Sequence, residues 1–248
     1  MNSPATVCTF EMNEPSPCRA FRNDTPTFDR LARVYRWMEW LSFGPYLSRC
    51  RRAFLPQCRK ARHALVLGDG EGRCTAALLR QNPHVLIDAV DASPAMVQAL
   101  RRRAGTNRGR LQTEARDLRE WSPKPGTTYD RIVTHFFLDC LSTDDVFSLA
   151  RRVTTAATPD ARWVVSEFAV PEGSFGRWIA RPLVTLLYKA FGLLTGLRVR
   201  QLPDYSRALC ASGFRLEQER TLLLGLLVAQ VWRRTERQPA ENAADALG

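Results

Sequence analysis

Gly68, Gly70 and Gly72 stand at alternate positions between the apolar run 64–67 and a helical pattern that opens at Cys74. Glycines placed there let the chain turn sharply and let a ligand reach the main chain with no Cβ in the way. The helix behind them offers free N–H groups and a positive dipole end. About 20 residues further on, Asp91 closes a second apolar run, 85–90. A carboxylate at the end of such a strand accepts hydrogen bonds from both hydroxyls of a ribose. Loop and acid together read as a seat for a nucleoside. The spacing G-x-G-x-G, followed by Arg73, departs from the G-x-G-x-x-G of a pyrophosphate cradle. Asp91 also stands where a helix dipole favours an acid, a plainer role that stays open.

Further carboxylates fall at the ends of other expected strands. Asp117 follows the short alternating strand 111–115, where an Asx turn is the alternative use. Asp139 comes late in the run 131–140, which reads as a buried strand, and Glu167 ends a later strand, 162–168. Open α/β sheets bind ligands at the carboxyl ends of their strands, so Phe137, Leu138 and Asp139 are expected on the floor of one site. Asp139 is the first candidate for a general base; His135 and Glu167 follow. A structural place beside a helix for Asp139, and a strand interior for His135, are the competing assignments.

The elements that must hold these residues follow from pattern. Strands are expected at 63–67, 85–90, 111–115, 131–140 and 162–168, with helices at 72–80, 95–103 and 143–157. Ser93 with Pro94, and Ser142 with Asp144 and Asp145, are helix-start signals. Ahead of the first strand, Phe28, Leu31, Tyr35, Met38 and Leu41 mark one helix, and 46–54 a second. Near the end, a helix from Pro203 stops at Gly213, and strands 214–222 and 226–233 reverse near Gly225. The stretch 171–202 is too long for an ordinary connection and markedly apolar, and reads as a helical lid.

Composition narrows the class. A chain of 248 residues with 45% apolar content builds a real core. Its net charge of +11 raises nucleic acid as a partner, but arginine supplies 33 of the 36 basic residues and they are spread widely. Solvated helix faces explain the patches 49–62 and 101–110 better than a nucleic-acid groove. Seven cysteines without a CxxC pair, and three histidines, give neither a disulfide framework nor a metal site. The expectation is a reduced, cytoplasmic protein. No apolar run reaches the ~20 residues that span a bilayer; a weak contact with a membrane surface stays open.

The glycine loop, Asp91, Asp117, the strand entered by Tyr129 and Asp130, and the closing hairpin resemble, in that order, the class I S-adenosylmethionine-dependent methyltransferases. Within the class, Leu202-Pro203-Asp204-Tyr205 and Ala211-Ser212-Gly213-Phe214 resemble the quinone-biosynthesis C-methyltransferases. The resemblance implies an α/β fold, a doubly wound, Rossmann-like, seven-stranded sheet in the order 3-2-1-4-5-7-6 with one antiparallel strand. The resemblance covers about 61–234, the core with the 171–202 lid inserted; it does not cover 1–27, which reads by composition as a mostly disordered tail, and it says little about 28–60, which reads as an N-terminal helical lid, while 235–248 reads as a solvated tail. S-adenosyl-L-methionine is the implied cofactor, held by Gly68, Asp69, Gly70, Gly72, Asp91, Ala92 and Met96, with Asp117 and Leu118 on the adenine. A small, partly apolar acceptor would sit among Tyr35, Tyr46, Phe137 and Tyr188. In-line displacement at an activated sulfonium needs alignment more than acid, and a base only where the acceptor must lose a proton. A nicotinamide dehydrogenase, an RNA methyltransferase and a non-catalytic partner-binding protein of the same fold remain as alternatives.

Overall fold

The computed structural model describes residues 45–171 and 202–235. Tyr35, Tyr188, the helix expected from Phe28, the body of the 171–202 lid and both expected tails, apart from Thr235, lie outside the described residues.

Strands β1 (His63–Leu67), β2 (Leu86–Asp91), β3 (Leu111–Ala115), β4 (Tyr129–His135), β5 (Ala157–Phe168), β6 (Phe214–Leu222) and β7 (Leu227–Arg234) form one sheet, in the order 3-2-1-4-5-7-6. β1 to β5 pair in parallel, and β7 runs antiparallel to both of its neighbours. This is the expected topology. The described helices are α1 (Pro45–Arg52), α2 (Arg73–Gln81), α3 (Pro94–Ala104), α4 (Thr143–Thr155) and α5 (Tyr205–Ala211).

Alternation along the central strands divides the core in two. Ala64, Val66, Val133 and Val164 face α1, α2 and α3, packing with Leu47, Cys50, Leu78 and Leu100. Leu65, Leu67, Ile132, Trp163 and Val165 face α4 and α5, packing with Val146, Leu149, Val153 and Leu209. A parallel sheet covered on both faces requires such continuous apolar strands. The caps form as their sequences indicate. Ser93 Oγ accepts from the Met96 N–H at 3.4 Å, and Ser142 and Asp145 close a reciprocal capping box.

Two strands differ from expectation, one at the carboxyl end of the sheet and one at the end where the strands begin. β4 ends at His135 instead of running through Cys140, because Phe136 turns into the left-handed region at φ +53. A short 3-10 turn, Leu138–Cys140, follows. β5 begins at Ala157, ahead of Pro159. The register slips between the pairs Tyr129–Ala157 and Arg131–Arg162, so Pro159 lies where no ladder bond to β4 is asked of it.

Candidate active site

All three glycines of the β1–α2 loop have positive φ: +68 at Gly68, +56 at Gly70 and +78 at Gly72. Only two are closed by packing. A Cβ on Gly68 would fall 2.2 Å from the Phe137 ring, and one on Gly72 would fall 2.6 Å from Leu100. At Gly70 the nearest atom is the Met96 sulfur at 4.0 Å. Among the described residues, then, Gly70 is the glycine of this loop whose backbone no side chain covers. The Gly68 N–H donates to the Val90 carbonyl at 2.9 Å and ties the loop to β2.

Asp91 ends β2 beside this loop. Its Oδ2 accepts from the Gly70 N–H at 3.0 Å and its Oδ1 from the Ser93 N–H at 2.9 Å. Burial raises its carboxyl above the usual aspartate range, against the pull of those two donors. Ala92 is exposed and Met96 half-buried on the first turn of α3. Asp69 is turned the other way. Its oxygens accept from the Cys74 N–H at 3.1 Å and the Thr75 N–H at 2.7 Å, so it caps α2. An acid shortly before a helix start is the signal for that role.

Asp117 lies past β3 and is gripped by its own loop. Arg119 Nη2 reaches its Oδ2 at 2.5 Å and the Arg119 N–H its Oδ1 at 2.9 Å. The Arg119 guanidinium holds this carboxyl below the usual range. Leu118 beside it is buried.

At the β4 and β5 tips, Asp139 and Glu167 are both buried. Glu167 Oε1 accepts from the Phe137 N–H at 3.1 Å and the Leu138 N–H at 2.9 Å, and its Oε2 has no hydrogen-bond partner among the described residues. Burial, with the Asp139 charge adding to it, raises Glu167 well above the usual glutamate range. This clamp across 30 residues has no short-range sequence signal. The Cys140 thiol donates to Asp139 Oδ1 at 3.4 Å. His135 is buried with both ring nitrogens unpartnered among the described residues, and burial first, then the Arg51 charge, pushes its pKa down to about 3. An imidazole that weak takes no proton near neutral pH, so His135 fits a strand interior better than proton transfer. Tyr46 is exposed, with the Arg49 guanidinium 5.5 Å from its ring.

Residues 65–163 match a family described as a methyltransferase domain. These residues of the chain are a methyltransferase domain. The methyltransferase domain is 41% identical over 91 residues to a trans-aconitate 2-methyltransferase of Rhodococcus jostii, a match covering 36% of this chain and 34% of that one. The chain thus spans about a third of the length of this curated relative. Among solved structures, the N-methyltransferase NodS of Bradyrhizobium japonicum, in complex with S-adenosyl-L-homocysteine, superposes with a TM-score of 0.59 at 15% identity, over 85% of this chain and 99% of that one. The mitomycin 7-O-methyltransferase gives 0.56 at 20% identity, over 84% and 67%. These structures share the fold of the methyltransferase domain. The narrower resemblance carried by residues 202–214 lies outside the family match.

Proposed function

We propose that the protein binds S-adenosyl-L-methionine across the tips of β1 and β2 and transfers its methyl group to a small, partly apolar acceptor. The observation that carries this reading is the join between Asp91 and the open Gly70 backbone. It sets one carboxylate beside a loop position that no described side chain covers. When bound, the group supplies an activated methyl carbon. The chain's own task is to hold it, to exclude water and to align the acceptor.

Gly70 would line the donor against the main chain, and Asp91 would take the ribose hydroxyls. Ala92 and Met96 flank that position. Asp117 would reach the adenine amino group by sharing its oxygens with Arg119, and the Leu118 N–H would meet a ring nitrogen. Asp69 would act through the loop by capping α2. Phe137, pressed on Gly68, would form part of the acceptor floor, and Asp139 is the candidate base for an acceptor that must lose a proton. The acceptor is not taken over from the trans-aconitate enzymes, since the match covers a third of the relative's length.

Calorimetry with S-adenosylhomocysteine and, in parallel, NADH tests the reading. Binding of the first alone is expected. Affinity for NADH with none for S-adenosylhomocysteine would replace the methyl-donor site with a dinucleotide site. Mass spectrometry of ligands that survive purification gives an independent check.

A further inference from the structure

Asp117 and Leu118, the two groups proposed to meet the adenine, stand on one short turn after β3. The N–H groups of Glu120 and Trp121 both donate to the Asp117 carbonyl, at 3.1 and 2.9 Å, so the turn is a single turn of helix. In such a turn the N–H groups point one way along the axis and the carbonyls the other, and one turn is too short to give its later carbonyls partners of its own. Leu118 and Trp121 are buried in the core that α4 covers. Just ahead of the turn, the Arg116 N–H donates to the Asp91 carbonyl at 3.0 Å. The turn thus hangs from the strand end that carries the proposed ribose acid.

The carbonyl end of this turn is gripped from α4. Arg152, half-buried in the last turn of that helix, donates from Nε to the Trp121 carbonyl at 2.7 Å. Its Nη2 donates to the Leu118 carbonyl at 2.8 Å and the Arg119 carbonyl at 3.0 Å. One guanidinium therefore serves three carbonyls of one turn. A rigid planar fork can do this, where an ammonium is only a point charge. A cation at the carbonyl end also complements the dipole of the turn. The decisive link is a single peptide unit. Its carbonyl, that of Leu118, is held by Arg152, and its N–H, that of Arg119, donates to Asp117 Oδ1 at 2.9 Å. A peptide unit is planar, so fixing one end fixes the other. Arg152 thus orients the Asp117 carboxylate from the far side of the turn.

We infer that Arg152 is a positioning residue for base recognition: through the Leu118–Arg119 peptide it sets the angle at which Asp117 and the Leu118 N–H meet the base, and with it the preference for adenine over a base that lacks the exocyclic amino group. The inference rests on the methyl-donor reading above. Arg152 acts only through the turn. A carboxylate held in place accepts from an amino group and repels a carbonyl oxygen set there instead; a carboxylate on a loose turn swings aside and discriminates less.

The test compares two probes on the full chain by calorimetry. S-inosylhomocysteine differs from S-adenosylhomocysteine by a carbonyl oxygen in place of the amino group on the base. The wild type is expected to prefer S-adenosylhomocysteine by about a hundredfold. Arg152→Met keeps an unbranched apolar stem and removes the fork. It should bind S-adenosylhomocysteine about tenfold more weakly and S-inosylhomocysteine within about twofold of the wild type, so the preference narrows. Arg152→Lys keeps the charge without the fork and should fall between the two; it decides the matter alone where the methionine variant does not fold. An arginine that only stabilises the fold would lower the melting temperature and weaken both probes alike. That result, or a preference unchanged in the folded variants, overturns the inference. Equal binding of both probes by the wild type also overturns it and leaves the methyl-donor reading standing. A wild-type protein that binds neither probe overturns both.

Discussion

Gly70 donates its backbone N–H to Oδ2 of Asp91 at 3.0 Å, so the glycine loop and the tip of β2 form one unit. The second oxygen of Asp91 is fixed by Ser93. The carboxylate therefore stands oriented without any ligand contact. Asp91→Ala should reduce the affinity for S-adenosylhomocysteine by about 1.5–3 kcal/mol, the range for hydrogen bonds to a charged group. Calorimetry on a variant with native circular dichroism measures it. Unchanged affinity would take Asp91 out of the site.

Gly68 carries two constraints at once, a φ of +68 and the Phe137 ring where a Cβ would stand. Gly68→Ala should lose about 2–4 kcal/mol of stability, from left-handed strain and overpacking together. Urea unfolding of Gly68→Ala, Phe137→Ala and the double variant separates the two. Removing the ring should make the alanine easier to accommodate, so the losses should not add. Simple additivity would show that the ring is no obstacle.

Much of the fold is legible in the sequence because its signals are local. Ser93-Pro94 and Ser142 with Asp145 start helices through bonds that span three residues. The apolar runs of β1 and β2 are those a sheet covered on both faces requires. The site is less legible because its decisive contacts are not local. Nothing near Phe136 in the chain announces that β4 stops there; the N–H groups that follow find Glu167, far along the sequence, in place of a β5 carbonyl. Asp69 reads as part of a ligand loop, yet its oxygens turn to α2, a choice settled by which N–H groups lie nearest. The strand expected at 162–168 begins five residues earlier, at Ala157, because a slip in register lets β5 run through Pro159.

At the opposite end of the sheet, Tyr129 donates its hydroxyl to Asp88 Oδ2 at 2.7 Å, and His63 Nε2 lies 3.3 Å from the same oxygen. Burial alone would raise Asp88, but the hydrogen bonds from His63 and Tyr129 outweigh it and hold the carboxyl below the usual range. A lowered folded value means the stability is present above the unfolded value and is lost as pH falls through the folded one. Tyr129→Phe should therefore lower stability at neutral pH by about 1.5–3 kcal/mol and move the acid unfolding limb to higher pH. Melting curves down the acid range show both. An acid limb that stays in place would detach Asp88 from acid unfolding.

Glu167 should give the opposite sign. It is buried at the β5 tip beside the charge of Asp139, and its carboxyl is raised well above the usual glutamate range. As pH rises, the unfolded chain loses this proton first, while the folded chain keeps it. The folded state then binds more protons, so stability is full below the ordinary glutamate value and declines as pH climbs toward the raised one. Glu167→Gln removes the titration but keeps an oxygen for the Phe137 and Leu138 N–H groups. Between about pH 5 and pH 8 its stability should fall less steeply than that of the wild type. Glu167→Ala leaves those two N–H groups without an acceptor and should cost a further 1–3 kcal/mol or so relative to glutamine. Urea midpoints across that pH range measure both effects. Parallel profiles for wild type and Glu167→Gln would show that Glu167 holds no extra proton in the folded state, and equal losses for glutamine and alanine would show that its grip on the Phe137 turn contributes nothing.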